Sequence, residues 1–127
     1  MSFHDFEIAY LRSQRLGRLA TAKPDGTLQN SPVGFTYNAE LGTIDIGGFD
    51  NTNSRKYRNV ADNGRAAFVV DDLASVDPWR VRCPEVRGRA ETVGDLIRLH
   101  PTRIISFGID QPDAEPHALR PHARDVG

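Results

Sequence analysis

Cysteine is nearly absent from this sequence, since Cys83 is the only one among its 127 residues. A single cysteine excludes an intramolecular disulfide framework and a zinc site built from several thiolates. The sequence also lacks any run of about 18 apolar residues that could cross a membrane, and its first ten residues, MSFHDFEIAY, carry charges where a signal peptide needs an apolar segment. We therefore expect a cytoplasmic protein in a reducing compartment, without membrane contact.

A strong excess of one charge is missing as well. The sequence has 16 Lys and Arg against 17 Asp and Glu, a formal net charge of -1, so no global positive field predicts a nucleic-acid partner. The four histidines, His4, His100, His117 and His122, do not have the spacing of metal ligands, and we expect no metal. A chain of this length is most simply one domain with its own core.

Local patterns in the first half of the chain predict one helix and three strands. Ser2 and Asp5 are spaced as in a capping box, which predicts a short amphipathic helix at the start. Pro24 followed by Asp25 and Gly26 is typical of a tight hairpin turn, and it joins the strand patterns RLGRLATA and TLQNSPVGFTY. A further strand, TIDIGG, begins at Thr43.

The second half of the chain completes a barrel-like pattern. After a helix near Ser54, the apolar run RAAFVVDD predicts a strand buried on both faces and ended by Asp71 and Asp72. The segment WRVRCPEVRGRAETV predicts a strand with a bulge or bend at Pro84 and Gly88, and RIISFGI predicts the last strand. About six short antiparallel strands with two or more small helices favour a mainly β fold, a barrel, over a doubly wound sheet.

The end of the chain has a different composition. Residues 111–127, QPDAEPHALRPHARDVG, contain three prolines and little apolar material. We therefore expect residues 1–110 to form the domain and residues 111–127 to form a flexible tail or an arm along a partner. Deletion of a flexible tail would leave the melting temperature nearly unchanged.

Positive side chains stand at an unusual place in the second predicted helix. Ser54 is a good N-cap residue, but Arg55, Lys56 and Arg58 follow it, where cations oppose the helix dipole at about 0.3–1 kcal/mol each. A phosphate held by the free amides of the helix start would make these charges favourable. The tripeptide Ser54-Arg55-Lys56 alone also fits the start of an ordinary solvated surface helix. The neighbouring segments of the sequence distinguish this interpretation from a phosphate site.

The order of the neighbouring segments resembles that of a known superfamily. The strand TIDIGG, the helix start at Ser54, Arg55 and Lys56, the strand RAAFVVDD and the segment VRGRAE resemble the pyridoxamine 5'-phosphate oxidase-like split β-barrel proteins, over most of residues 10–110. Residues 19–35, LATAKPDGTLQNSPVGF, and residues 99–110, LHPTRIISFGID, resemble the small F420 (deazaflavin)-dependent oxidoreductases within that superfamily.

This resemblance implies a fold, a reaction and an assembly. The fold would be an FMN-binding-like split β-barrel, and the protein would be a homodimer with a cofactor groove shared between subunits. The reaction would be hydride transfer from coenzyme F420 to a small organic acceptor, a chemistry that the cofactor carries, so that no catalytic side chain need be named. The alternatives are an FMN-dependent reductase or oxidase of the same fold, and a non-catalytic flavin- or haem-binding protein.

The resemblance also implies which residues bind the cofactor. Ser54, Arg55 and Lys56 would hold its phosphate, and the absence of side chains at Gly47 and Gly48 would let a planar ring lie close to the backbone. The remaining residues would face the ring or cap the ligand, and they are Thr21, Gln29, Asn30, Ser31, Pro32, Asn59, Trp79 and Arg80.

One strand departs from the parent oxidases. Those enzymes carry a basic segment on the strand before the helix, whereas residues 43–48 here include Asp45 and no cation. The segment that binds pyridoxal in the parent oxidases has no counterpart near the end of this chain. Both differences argue against oxidation of pyridoxamine phosphate.

Overall fold

The structure, a computed structural model, describes residues 2–127. Its α-helices are α1 (Asp5–Ser13) and α2 (Arg55–Asn63), and two single-turn 3-10 helices lie at Asn51–Asn53 and Pro116–Ala118. The strands are β1 (Leu16–Ala22), β2 (Leu28–Gly34), β3 (Thr36–Asn38), β4 (Thr43–Ile46), β5 (Arg65–Val69), β6 (Asp72–Ser75), β7 (Arg80–Val93), β8 (Leu96–Phe107) and β9 (His122–Asp125). None of the helices among these residues is long and apolar enough to cross a membrane.

All nine strands join one antiparallel sheet that curves into a split barrel. The main order is β2-β1-β5-β7-β8-β4-β3, with β6 added to β7 and β9 added to β8. The two ends of this order, β2 and β3, are separated only by Phe35 in sequence, yet they form no ladder with each other. The barrel therefore stays open along this line, and the prediction of a mainly β split barrel is confirmed.

The core lies inside the curved sheet. Its fully buried side chains come from strands on all sides and from α1, and they include Leu11, Leu19, Ile44, Ile46, Phe68, Ile97, Leu99 and Ile104. Phe68 reaches over β1, where a Cβ atom on Gly17 would lie 2.3 Å from its ring. Close packing at this point requires glycine, and burial of these apolar side chains is the main force that holds the sheet curved.

The first helix begins two residues later than the sequence predicts. His4, not Ser2, is the N-cap, and its backbone N–H donates to Oε1 of Glu7 at 2.8 Å. Glu7 is fully buried, whereas the Asp5 side chain that the pattern selected is exposed. The reciprocal spacing of a capping box is therefore present, displaced along the chain.

The number of strands is larger than predicted. Phe35 divides the predicted strand TLQNSPVGFTY into β2 and β3, and β8 begins at Leu96, well before the predicted start at Arg103. Asp72 does not end a strand but begins β6, because its carboxylate accepts hydrogen bonds from the hydroxyl of Tyr10 at 2.8 Å and from Arg82. The predicted irregularity is present opposite Gly88 but not at Pro84, since the register of β7 against β8 shifts between Arg87 and Gly88, and the extra residue, Thr102, lies on β8.

Strand β5 is not buried on both faces, as its apolar sequence suggested. Phe68 is buried in the core, but Arg65 is exposed and Ala67 and Val69 remain half-buried. These three residues face outward because side chains alternate along a strand. The small outward side chains leave this face of the sheet shallow.

The prediction of a flexible tail is wrong for residues 122–125. They form β9, which pairs with β8 from Arg103 opposite Asp125 to Ser106 opposite His122. The guanidinium of Arg124 donates two hydrogen bonds to the carboxylate of Glu7, at 2.5 and 2.9 Å, and Ser106 donates a third. A buried ion pair therefore fixes a segment that has little apolar material.

Candidate functional site

The start of α2 presents unpaired donors. Oγ of Ser54 accepts the N–H of Tyr57 at 3.3 Å and donates to the carbonyl of Asn51 at 2.7 Å, so Ser54 is the predicted N-cap. The backbone N–H groups of Arg55 and Lys56 have no acceptor among residues 2–127. No acidic residue lies in the first turn, so the positive end of the helix dipole is unmatched.

Two cations stand beside these free amides. Nε of Arg55 donates to Oδ1 of Asn59 at 2.9 Å, which orients the guanidinium along the helix. Lys56 is partly exposed, and no carboxylate of residues 2–127 lies within 4.0 Å of Lys56 or Arg55. Free amides, a favourable dipole and two unpaired cations are together the requirements of an anion site.

Asn59 connects this helix start to the first hairpin. Its side chain is fully buried, and its amide nitrogen donates to Oγ1 of Thr21 at 3.1 Å and to Oε1 of Gln29 at 3.2 Å. The amide of Gln29 in turn donates to Oγ of Ser31 at 3.3 Å. We call this connected set, Arg55, Asn59, Thr21, Gln29 and Ser31, the polar strip. The structure thus brings together residues that the sequence placed on separate elements.

The loop before α2 is held in an unusual conformation. Gly48 has φ +145° and Asp50 has φ 54°, and between them Phe49 is fully exposed. The loop is anchored by Asn51, whose buried side-chain amide donates to the carbonyls of Ile46 at 3.3 Å and Asp95 at 2.7 Å. Sequence reasoning missed Asn51, and its place three residues before the N-cap gives no local signal, because both acceptors lie outside the helix.

A groove opens between this loop and the split of the barrel. It has a volume of about 510 Å³ and is lined by Gly34, Phe35, Thr36, Asp45, Gly47, Gly48 and Leu96. A Cβ atom on Gly47 would lie 3.4 Å from Cδ2 of Leu96 and would occupy the space beside that side chain. The groove therefore has apolar walls and a floor kept low by glycine, which suits a planar aromatic group.

The acid in this groove is already paired. Asp45 forms an ion pair with Arg98 of β8 at 3.0 Å and accepts hydrogen bonds from Asn38 and Thr43. Burial alone would raise the pKa of Asp45, but the hydrogen bonds from Arg98, Asn38 and Thr43 lower it below its usual value. Asp45 is thus a charged structural residue and not a proton donor near neutral pH.

Four of the predicted site residues lie outside the polar strip, the start of α2 and the groove. Asn30 and Pro32 alternate with Gln29 and Ser31 along β2, so their side chains lie on the opposite face of the strand. Trp79 is exposed on the turn between β6 and β7, and Nε of Arg80 donates to the carbonyl of Ala114 at 3.2 Å.

The register of the sheet shows how far the turn that carries Trp79 and Arg80 lies from the polar strip. Gly88 of β7 shares a row with Ala66, Thr21 and Gln29. At roughly 3.3 Å per residue, Arg80 lies roughly 26 Å from Gly88 along β7. Within one chain, Trp79 and Arg80 therefore lie on a different part of the sheet from the polar strip.

Cys83 and the metal-binding residue types offer no reactive group among residues 2–127. Burial, with smaller contributions from the charges of Asp71 and Glu85, raises the pKa of the Cys83 thiol to about 11. The thiol is therefore protonated at neutral pH and a poor nucleophile. No group of three or more His, Cys, Asp or Glu side chains within residues 2–127 could hold a metal ion.

A split barrel with a helix start between β4 and β5 is the architecture of a known class of proteins. Comparison with protein families identifies that class. Residues 6–105 match the family model described as pyridoxamine 5'-phosphate oxidase, and the chain belongs to this family. The resemblance that the sequence motifs indicated is thereby confirmed.

One similar protein indicates the type of reaction. The chain is 42% identical, over 138 aligned positions, to the 5a,11a-dehydrotetracycline/5a,11a-dehydrooxytetracycline reductase of Streptomyces rimosus, an alignment that covers 99% of this chain and 94% of the relative. The family and this reductase together make the chain an oxidoreductase.

Solved structures agree on the fold. The FAD binding protein from Mycobacterium smegmatis is 25% identical with a TM-score of 0.61, and the match covers 77% of this chain and 86% of that one. The heme binding protein from the same organism is 17% identical with a TM-score of 0.70, and it matches over 98% of this chain and 59% of its own length. At that identity the second similarity shows the fold alone.

Proposed function

We propose that this oxidoreductase uses coenzyme F420 and transfers hydride to a small organic acceptor. The observation that carries the proposal is the start of α2, where two free amides and the unpaired cations Arg55 and Lys56 are connected through Asn59 to the first hairpin. The 42% identity to a reductase over nearly the whole chain supports the same reaction type. When bound, the reduced deazaflavin supplies the hydride.

The residues present fit such a cofactor. Lys56, the Arg55 guanidinium and the free amides would bind its phosphate, because they are the unmatched positive groups of the helix start. Gln29 and Ser31 would donate to and accept from the polar edge of its ring system, and the buried Thr21 would hold Asn59 in place. The apolar groove beside Gly47 would hold the ring and exclude water from it.

The acceptor that we propose is a polycyclic conjugated ketone. The similar Streptomyces rimosus enzyme is a reductase of dehydrotetracyclines, which are compounds of this class. The exposed Phe49 and the groove residues Phe35 and Leu96 offer flat and apolar contacts of the kind such a ligand needs.

We also propose that the protein acts as a cytoplasmic homodimer. The polar strip and the groove both lie at the open line of the barrel, where one chain offers few walls to enclose a cofactor. A second copy is the simplest source of the missing wall. A single, unreactive cysteine fits a reducing compartment.

A flavin is the second candidate cofactor, because the similar Mycobacterium smegmatis structure is an FAD binding protein. Titration of the purified protein with F420, FMN, FAD and haem in parallel separates the possibilities. We expect a colourless protein that quenches the fluorescence of added F420 at stoichiometric concentration. A yellow protein with flavin absorbance, or tighter binding of FMN than of F420, would replace F420 by FMN in the proposal, and haem binding without turnover would make the protein a carrier.

A further inference from the structure

Two arginines face each other on the outer surface of the sheet. Arg65 of β5 and Arg89 of β7 are direct register partners in an antiparallel pair, and both are exposed. Like charges directly opposite each other on neighbouring strands destabilise the sheet. A second pair of facing arginines, Arg87 of β7 and Arg103 of β8, lies on the same side of the sheet.

The two arginines lack the counter-ions that their neighbours have. On the same side of the sheet, Arg18 pairs with Asp71 at 2.5 Å, Arg87 with Glu85 at 2.7 Å and Arg103 with Asp125 at 2.8 Å.

The nearest candidate acid is also occupied. Glu91, two residues after Arg89 on β7, contacts His100. Within residues 2–127, no carboxylate lies within 4.0 Å of the guanidinium of Arg65 or Arg89. Two positive charges therefore remain uncompensated at one place.

The pair borders an open groove of about 370 Å³. The groove is lined by small residues of β1 and β5, by Leu28, and by the positive and polar residues Arg65, Arg87, Arg89 and Thr102. Gly88, which also lines the groove, lies close to β8, since a Cβ atom there would lie 2.1 Å from the carbonyl oxygen of His100. The bulge in β8 at the same point places Thr102 beside Arg87, to whose carbonyl its hydroxyl donates at 3.2 Å.

We propose that Arg65 and Arg89 form a second binding site, for a small molecule that carries phosphate or carboxylate groups on an apolar body. An oxyanion between the two guanidinium groups would replace their repulsion by two charge-assisted hydrogen bonds, for which the planar fork of arginine is suited. Ala20, Ala67 and Leu28 would contact the apolar part. The groove shares Thr21 with the polar strip, but Asn59, Gln29 and Ser31 do not line it, and neither does any other residue of α2, so the site is separate from the start of α2.

The test is a thermal melt with oxyanion probes at constant ionic strength. Sodium pyrophosphate represents phosphate ligands and sodium citrate represents carboxylate ligands, and NaCl adjusts the ionic strength. We expect at least one probe to raise the melting temperature of the wild type, and we expect at least a tenfold weaker affinity for that probe in Arg65→Gln and in Arg89→Gln. Without a probe, both variants should melt at or above the wild-type temperature, because a like-charge contact is removed.

Two controls localise the effect. Arg15→Gln removes an exposed arginine before β1 and should keep the response to the probe. Lys56→Ala removes the proposed phosphate contact at the start of α2, so the response that remains in this variant is that of the Arg65 and Arg89 site, and it should be lost when either arginine is also replaced by Gln. A response to pyrophosphate alone identifies a phosphate ligand, and a response to citrate alone identifies a carboxylate ligand. No response to either probe, an unchanged response in both arginine variants, or a loss of dimer on sedimentation of these variants would overturn the proposal. The last result would show that carboxylates of a second copy neutralise the pair.

Discussion

At the scale of single residues, Lys56 is placed for binding and against stability. It lies in the first turn of α2 beside free amides, and no carboxylate of the described residues is near it. We expect Lys56→Ala to weaken cofactor binding by about 1.5–3 kcal/mol, as for loss of a hydrogen bond to a charged group. The cofactor-free protein should be equally stable or slightly more stable, because a contact that opposes the helix dipole is removed. Calorimetric affinities and melting curves of the cofactor-free protein measure both quantities.

The neighbouring arginines provide matched comparisons for Lys56. Arg58 is exposed one turn along α2, so Arg58→Ala should affect binding much less. Arg55→Ala should weaken binding like Lys56→Ala, but it should also lower the stability, since it leaves Oδ1 of the buried Asn59 without its donor. Unchanged affinity in all three variants would contradict the phosphate site at the start of α2.

Glu7 is a buried carboxylate that is paired with Arg124. Burial alone would raise its pKa, but hydrogen bonds from Arg124, Ser106 and the amide of His4 lower the pKa below its usual value of 4.5. A carboxylate with a lowered pKa stabilises the fold above its unfolded-state pKa, and this contribution is lost as the pH falls through its folded-state pKa. The ion pair with Arg124 should therefore stabilise the protein at neutral pH and lose its effect in acid.

We expect Glu7→Gln to lower the free energy of unfolding at pH 7 by about 3 kcal/mol, the lower end of the range for breaking a buried ion pair. The difference between wild type and variant should begin to shrink as the pH falls below about 4.5, because Glu7 of the unfolded chain then binds a proton, and it should be lost once the pH falls through the lowered pKa of Glu7 in the folded protein. Denaturant unfolding from pH 3 to pH 7 measures this difference. A constant difference across that range would mean that Glu7 is not ionised in the folded protein.

At the scale of elements, β9 should contribute much more than its composition suggests. Deletion of residues 122–127 removes the ladder with β8 and the guanidinium that neutralises buried Glu7. We expect a fall in the melting temperature of well over 10 °C, since 1 kcal/mol corresponds to roughly 4 °C in a domain of this size. Deletion of residues 111–121 with a short replacement linker is the control. A melting temperature unchanged by loss of β9 would support the flexible tail that the composition predicts.

The bulge between β7 and β8 depends on glycine at one position. Gly88→Ala would place a methyl group 2.1 Å from the carbonyl oxygen of His100, and backbone cannot move aside as a flexible side chain can. We expect a loss of about 1–3 kcal/mol or more, as for overpacked positions. Gly34→Ala is the matched control, because its methyl group would meet no atom within 4 Å. Denaturant unfolding of the two variants distinguishes a steric cause from a general preference for glycine.

The elements also show which parts of the candidate site the sequence could predict. Ser54 and the start of α2 could be predicted because capping depends on neighbouring residues alone. The bond from Asn59 to Gln29 spans 30 residues, and its existence depends on how the sheet packs on the helix. Trp79 and Arg80 were assigned to the site by resemblance of residue type, but the register of β7 places them at the other end of the sheet.

Prediction of strands from the sequence failed for segments that ion pairs, and not buried apolar side chains, hold in the sheet. The pattern found β1, β2 and β5 because their buried side chains alternate or cluster. It missed β6 and β9, whose places in the sheet depend on Asp72 with Arg82 and on Arg124 with Glu7. A single sequence gives no sign of which distant residue will neutralise a given charge.

At the scale of the whole molecule, the open line of the barrel predicts a dimer. We expect sedimentation at micromolar concentration to give twice the mass of one chain, because the groove beside Gly47 and the polar strip need a further wall. Binding of cofactor should tighten the association if the groove is shared between the copies. A monomer that binds cofactor with full affinity would rule out the shared groove.

The ion pair between Glu7 and Arg124 joins positions 117 residues apart, and it has a consequence for biosynthesis. The ribosome adds Arg124 after nearly all of the other residues described. The Glu7 carboxylate of α1 therefore has no guanidinium to pair with while the rest of the barrel is synthesised. An acid without a partner is costly to bury, and α1 should therefore stay undocked on the nascent chain. Completion of the core then becomes a late event, and a ribosome stalled before codon 124 should carry a chain that proteases cut within its first helix.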